Sequence, residues 1–305
     1  GQRLLGREEA TAEIASPRVR GALLLERNAV VEPVRLVEGL LGEALRRGAR
    51  IFEHSPVASL GVEGGRAVVR GARGELRADR LVLATNAYSH HLWPGLRRWF
   101  LPLYDYVLVS EPLSAAQVAA AGWPNRRALV DTRSFFNYAR WTADRRILWG
   151  TSEALYHRGN RVDEACDHSQ CHYAGLRESF ARFLPQLGEL RFPYAWGGPI
   201  ASTTRFTPFF GTTGGGRIHY GLGYTGHGIA STRLAGRILA DLALDRRGEL
   251  LDLKMVRRKP VPFPPEPLRS WTIGAVTRQL RQVDAGGRAG WLLWLLDRLG
   301  IGLSS

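Results

Sequence analysis

At 305 residues, with 45% hydrophobic and 23% charged side chains, the chain can fold as one large domain or two and is neither disordered nor fibrous in composition. Its net charge of +14 invites a nucleic-acid partner. The basic residues, however, are scattered and almost all arginine, Lys254 and Lys259 being the sole lysines, so arginine-rich usage is preferred and no nucleic-acid role is assigned. Two cysteines, Cys166 and Cys171, are too few for a disulfide framework and make a reducing, cytoplasmic setting the expectation.

In chain order, residues 7–10 can start a short helix, with no glycine-rich phosphate loop ahead of them. Residues 21–31 read as a strand closed by Pro33. Residues 34–47 read as a helix stopped by Gly48, with Leu36, Leu40, Leu41 and Leu45 as one buried stripe. A strand is expected over 49–54, then two or three short strands over 57–76 around Gly61, Gly64 and Gly65. Residues 78–89, ADRLVLATNAYS, read as a buried strand and turn in which Asn86 tolerates a left-handed conformation. An ordinary strand and turn would account for this run equally well.

From Leu101 the strands lengthen. Residues 105–111 form one, 115–122 a helix, and 128–131, 135–142 and 146–151 an antiparallel meander with its turn at Ala143 and Asp144. Alternation puts Phe136, Tyr138 and Arg140 on one strand face, where Arg140 can serve either a substrate carboxylate or a structural ion pair. The run from Cys166 to His172 has metal-ligand residue types. Its spacing is wrong for zinc and no second ligand pair follows, so it is read as part of an amphipathic helix over 164–184 and no metal is assigned.

Residues 218–229 form a strand and a glycine-rich turn, and the helix that follows spans 231–244. Gly221, Gly223 and Gly226 spell G-x-G-x-x-G, yet the acid about twenty residues on, Asp241, falls inside the helix rather than at the end of a second strand, which argues against a dinucleotide fingerprint. A plain turn or a turn closing over another part of a cofactor remain. The helix start offers unpaired N–H groups to an anion. The tail is a proline-rich connector over 261–269 followed by helices over 270–284 and 289–299. Residues 291–299 are apolar enough to dock on the body or touch a membrane surface, and too short to span one.

Residues 221–242, GLGYTGHGIASTRLAGRILADL, resemble the C-terminal flavin segment of the glycine oxidase/D-amino-acid oxidase family of FAD-dependent oxidoreductases. The runs ATNA at 84–87, FNYARWTADRRILWG at 136–150 and FPYAWGGP at 192–199 resemble its buried strand, its substrate-domain meander and its return segment. The tail and the ATNAY run look most like γ-glutamylputrescine oxidase-like members. The resemblance covers residues 20–245, and Arg205 departs from the aspartate often found there.

This resemblance implies a mixed α/β (α+β) fold. A glutathione-reductase-like FAD-binding domain, N-terminally incomplete, is expected over 33–100 and 196–245. It would interleave with an antiparallel-sheet substrate domain over 1–32 and 101–195, leaving 246–305 as connector and helices. The implied activity is oxidation of a C–N bond in an amine or amino acid, with hydride passing to the flavin, an imine product, and reoxidation by oxygen or another acceptor.

Implied cofactor contacts are Val57, Ala84 and Thr85 on the adenine or ribose side. At the flavin they are the backbone of Gly223, Tyr224, Thr225, Gly226, Gly228 and Ile229 with His227, whose side chain either adds a donor or serves the turn. Tyr106, Tyr138, Arg140 and Trp196 are the implied substrate-site residues. Without a cysteine in the return segment, the FAD is expected to be noncovalent. The family's dinucleotide fingerprint lies ahead of these residues, so the 305-residue chain alone is expected to bind FAD weakly or not at all, with a partner chain or a longer form supplying the rest. A non-catalytic flavoprotein-like subunit and a basic surface-binding protein are the alternatives.

Overall fold

The computed structural model describes residues 1–298 and Ile301. In order come β1 (Gln2–Leu5), α1 (Arg7–Glu13), β2 (Ala22–Leu25), α2 (Pro33–Arg46), β3 (Val57–Glu63), β4 (Arg66–Gly71), β5 (Gly74–Ala78), β6 (Leu81–Leu83), α3 (Ser89–Leu92) and β7 (Leu101–Val109). Next are α4 (Ala115–Ala120), β8 (Leu129–Val130), β9 (Asn137–Trp141), β10 (Ile147–Tyr156), α5 (Gln170–Phe183) and β11 (Tyr194–Ser202). The chain ends with β12 (Phe209–Thr213), β13 (Ile218–Leu222), α6 (Gly228–Ala243), α7 (Lys254–Arg257), α8 (Leu268–Asp284) and α9 (Trp291–Arg298). Two compact units result. One comprises Gly1–Leu40, Asp105–Leu155 and Asp163–Gly198; the other comprises Leu41–Tyr104, Tyr156–Val162 and Pro199–Ser305. The described tail thus belongs to the second unit and does not stand apart.

The first unit is built on a five-stranded sheet ordered β11-β7-β10-β9-β8, with β1 and β2, joined through α1, as a separate two-stranded antiparallel sheet. The expected meander forms, β9 and β10 pairing antiparallel with Tyr138 opposite Gly150. Period-two alternation splits the sheet into two unlike faces. One carries Tyr106, Leu108, Ala139, Trp141, Ile147 and Trp149, all buried. It packs on α5, where Trp149 Nε1 donates to Ser179 Oγ at 2.9 Å and meets Phe180 edge-on at 5.5 Å. Burying aromatic and aliphatic side chains of this size stabilises by about 1.5–3 kcal/mol each.

The second unit holds an antiparallel sheet β3-β4-β5 and a mixed sheet β12-β13-β6, in which β13 runs parallel to β6. Phe209, Ile218, Tyr220 and Leu222 fill its core with Leu83, Ala87, Leu96 and Phe100. Helix α6 lays Ala235, Ile238 and Leu239 against Phe210. Asp241 lies within α6, where the helical spacing put it.

The tail is tied down by a polar knot. Glu266 Oε1 accepts from Tyr156 Oη at 2.7 Å and from the Gly159 amide at 2.9 Å, while Oε2 accepts from Ser270 Oγ at 2.6 Å and from its amide at 3.2 Å. Burial pushes the Glu266 carboxyl up, but these donors outweigh it and hold the group at about 2. Beside it the buried Arg269 donates to Asn160 Oδ1 at 2.7 Å and to the Pro264 carbonyl at 2.8 Å.

Two expectations are corrected. Helix α2 forms, but Leu36, Leu40 and Leu45 are exposed and the helix has no buried residue. The periodicity identified an amphipathic face, but of its four leucines only Leu41 is partly buried. Residues 49–54 are irregular rather than a strand, with His54 at φ 51° and Ile51 and Phe52 exposed.

Candidate functional site

In the second unit three turns converge. The first follows β6, the second follows β13, and the third ends β11. After β13 the chain turns through Gly223 (φ 86°), Thr225 (φ 49°) and Gly226 (φ 81°) into the start of α6. Gly223 is fixed as glycine twice over, because a Cβ there would overlap Thr203 Cγ2 and its φ is left-handed. The Thr225 amide donates to the Ala201 carbonyl at 3.0 Å, and its hydroxyl donates to the Gly223 carbonyl at 3.2 Å. After β6, Asn86 takes φ 41°, and its Oδ1 accepts from the Gly223 amide at 3.1 Å. The residue expected to serve only as a left-handed hinge therefore also latches the two turns together.

The surface this leaves is open. Ala84, Thr85, Gly226, His227 and Ile229 are exposed, Tyr224, Thr225 and Gly228 are partly buried, and Gly223 is buried. No side chain caps α6, so the amides of Gly228, Ile229 and Ala230, which precede its first i→i−4 bond, remain available together with the positive end of the helix dipole. His227 occupies the N-cap position, its amide donating to the Tyr224 carbonyl at 2.9 Å. Burial pushes the Tyr224 phenol up, which keeps it neutral. Val57, at the start of β3, is exposed as well. Exposed glycine backbone, uncapped amides and an adjoining strand-end turn suit an anionic, planar group such as a flavin edge.

In the first unit the sheet face opposite α5 carries the other expected residues. Tyr138 lies across Gly150, where a Cβ would overlap its ring, and donates from its hydroxyl to Asp105 Oδ2 at 2.8 Å. Among the described residues Asp105 Oδ1 is buried with no hydrogen-bond partner. Burial pushes the Asp105 carboxyl up to about 7, against the pull of the Tyr138 hydroxyl and the Tyr106 amide, and burial likewise raises the Tyr138 phenol.

Arg140 Nη1 is held by Glu32 Oε1 at 2.8 Å, the ion-pair role left open by the sequence. Gly197 sits against the Tyr106 ring, so alternation places Trp196, which is half exposed, on the Asp105 face. Tyr106 is not on that face. It is fully buried on the α5 side and donates to the Cys166 carbonyl at 2.9 Å, because neighbouring strand positions point opposite ways.

Asp105 and Glu32 were missed by sequence reasoning. A lone acid in the apolar run LPLYDYVLV was the available signal for the first; the second comes from a distant loop and left none. Cys166 is buried and Cys171 exposed, and neither forms a disulfide among the described residues. No helix among the described residues is long and apolar enough to cross a membrane.

A family model described as DAO, FAD dependent oxidoreductase, matches residues 1–242. The chain is 32% identical over 231 residues to a probable oxidoreductase, OrdL, of Haemophilus influenzae, covering 73% of this chain and 49% of that protein. It is 32% identical over 240 residues to the γ-glutamylputrescine oxidoreductase of Escherichia coli, covering 78% of this chain and 54% of that one. The chain thus spans about half the length of these curated relatives. Among solved structures, iminodiacetate oxidase from Chelativorans superposes with a TM-score of 0.70 at 21% identity, covering 85% of this chain and 67% of that one. Glycine oxidase from Geobacillus kaustophilus superposes with a TM-score of 0.68 at 18% identity, covering 85% of this chain and 67% of that one. These likenesses show the mixed α/β fold.

Proposed function

The chain belongs to the DAO family of FAD-dependent oxidoreductases, and from that premise we propose that its second unit supplies the flavin-edge part of an FAD site in a protein that oxidises a C–N bond of a small amine or amino acid. The observation that carries this reading is the uncapped N-terminus of α6, presented on an exposed left-handed turn.

The backbone of Gly223, Tyr224, Thr225, Gly226, Gly228 and Ile229, with His227 beside it, lines the flavin edge. Val57, Ala84 and Thr85 serve the adenine or ribose side. Bound noncovalently, FAD would supply the hydride acceptor for oxidising the C–N bond to an imine, with oxygen or another acceptor as the final oxidant. The α6 amides stabilise negative charge on their side of the site, a contribution on the order of 0.3–2 kcal/mol for a helix terminus and larger where water is excluded. Asn86 and Thr225 hold those amides in place before any charge develops, so no reorganisation is needed.

On the sheet face opposite α5, Tyr138, Trp196 and Asp105 receive the amine. With Arg140 engaged by Glu32 and a carboxylate as the unpaired charge, this face favours an amine over the carboxylate of an amino acid. Two cysteines that are not bridged to each other fit a reducing compartment, the cytoplasm.

Titrating FAD into the purified chain tests the cofactor assignment. Weak, saturable quenching of flavin fluorescence is expected, and it should be lost in Gly223→Val, whose side chain has no room beside Thr203. Quenching that is equal in both proteins removes the reading.

A further inference from the structure

The C-terminal helices end in an aromatic face that no described residue covers. Helix α9 packs inward through the buried Leu293 and folds back on α8, Gln279 Oε1 accepting from the Leu293 amide at 3.4 Å. Outward it turns Trp291, Trp294, Leu295 and Arg298, spaced i, i+3, i+4 and i+7 along one stripe. Trp291 is 72% exposed and Trp294 59%. Arg298 lies 5.2 Å over the Trp294 ring, so cation and aromatic share the same surface. On α8 the exposed side carries Trp271, 69% exposed, with Arg278 and Arg281 at i+7 and i+10.

An apolar stripe facing solvent is the reverse of what a surface helix ordinarily presents, and it marks an interaction surface. Its chemistry selects the partner. Tryptophans that sink to headgroup depth, flanked by arginines that reach past them, suit an interface where acyl chains meet anionic groups. A second copy of the same face would set the arginines of α8 and α9 against their own kind, which disfavours a symmetric dimer there. The +14 charge of the chain adds long-range attraction to a negative surface.

We propose that the Trp291–Trp294–Leu295 face of α9, with Trp271, Arg278 and Arg281 of α8, seats this protein on an anionic lipid surface, lying in the interface and not crossing it. The assignment is independent of the flavin reading, since none of these residues belongs to either site described above.

Co-sedimentation of the 305-residue protein with vesicles of phosphatidylcholine alone, and of phosphatidylcholine mixed with phosphatidylserine, tests it. Binding is expected to the mixed vesicles only and to weaken as salt rises. The double variant W291A/W294A should bind about tenfold less, as the lost apolar burial predicts. R278E/R281E, which keeps the aromatics, should also lose binding to the mixed vesicles. Leu40→Ser, on the exposed face of α2, should bind as the parent does, which separates a specific face from general stickiness. Equal binding to neutral vesicles overturns the proposal. So does a W291A/W294A protein of unchanged circular dichroism that still binds, an equal loss in Leu40→Ser, or self-association without any vesicle binding.

Discussion

Helices α2 and α6 carry the same kind of sequence signal and meet opposite fates. Both show apolar side chains at helical spacing, leucines and valines in α2 and leucines and isoleucines in α6. In α6 that stripe ends on Phe210, with Ile238 fully buried, whereas in α2 Leu36, Leu40 and Leu45 stay in solvent. The difference teaches that periodicity specifies which face is apolar and says nothing about what lies on it. A helix becomes structural only when a sheet of matching shape is present, as β12 and β13 are for α6.

The sharpest break between them is in stability. Ile238→Ala should cost about 2–5 kcal/mol in urea unfolding, a buried side chain being lost and a cavity left. Leu40→Ala should change stability by no more than about 0.5 kcal/mol. Equal costs would mean that the α2 face is covered in solution and would dissolve the contrast.

A buried charge makes the same point in the first unit. The Asp105 carboxyl is held up to about 7, well above its ordinary 3.8, so the unfolded chain ionises first. Stability from this group is therefore full below about pH 4, falls as pH rises toward 7, and levels off above that. Asp105→Asn should remove the slope and leave the protein more stable than the parent at pH 8 by up to roughly 4 kcal/mol. Denaturation curves at pH 5 and pH 8 check the sign; a variant weaker than the parent at pH 8 would show that the carboxylate is paired.

A smaller effect sharpens the account of α6. Asn86→Ala removes the acceptor of the Gly223 amide and places alanine at a left-handed φ, a loss of about 1–3 kcal/mol. Asn86→Gly should recover the conformational part and not the hydrogen bond. If the two variants are equally stable, the latch between the turns is not what asparagine supplies.

The strand–turn–helix over 218–243 was legible because glycine, asparagine and helical periodicity are local signals with local causes, and the place of Asp241 inside the helix helped turn the reading away from a dinucleotide fingerprint. The meander was legible for the same reason. What escaped depends on residues far apart in sequence. Glu32 reaches Arg140 across 108 positions and Asp105 meets Tyr138 across 33, while Asn86 and Gly223 are 137 apart. Residues 49–54 have strand composition, but a strand needs a neighbour to bond with, and among the described residues they pair with none. Tyr106 was misplaced by one position's worth of alternation, which in a sheet is the whole thickness of the layer.

The knot around Glu266 has a practical meaning for anyone trimming this protein. Cutting after Lys259 would keep every backbone group assigned to the flavin and look harmless on a sequence map. It would also strip the Tyr156 hydroxyl, the Gly159 amide and the Asn160 side chain of partners from the removed stretch. The proline-rich connector is strapped to the second unit, the Val261 carbonyl accepting from the Thr204 hydroxyl and the Phe263 amide donating to the Arg98 carbonyl, and a shortened version should melt earlier even though it loses none of the residues proposed to line the flavin.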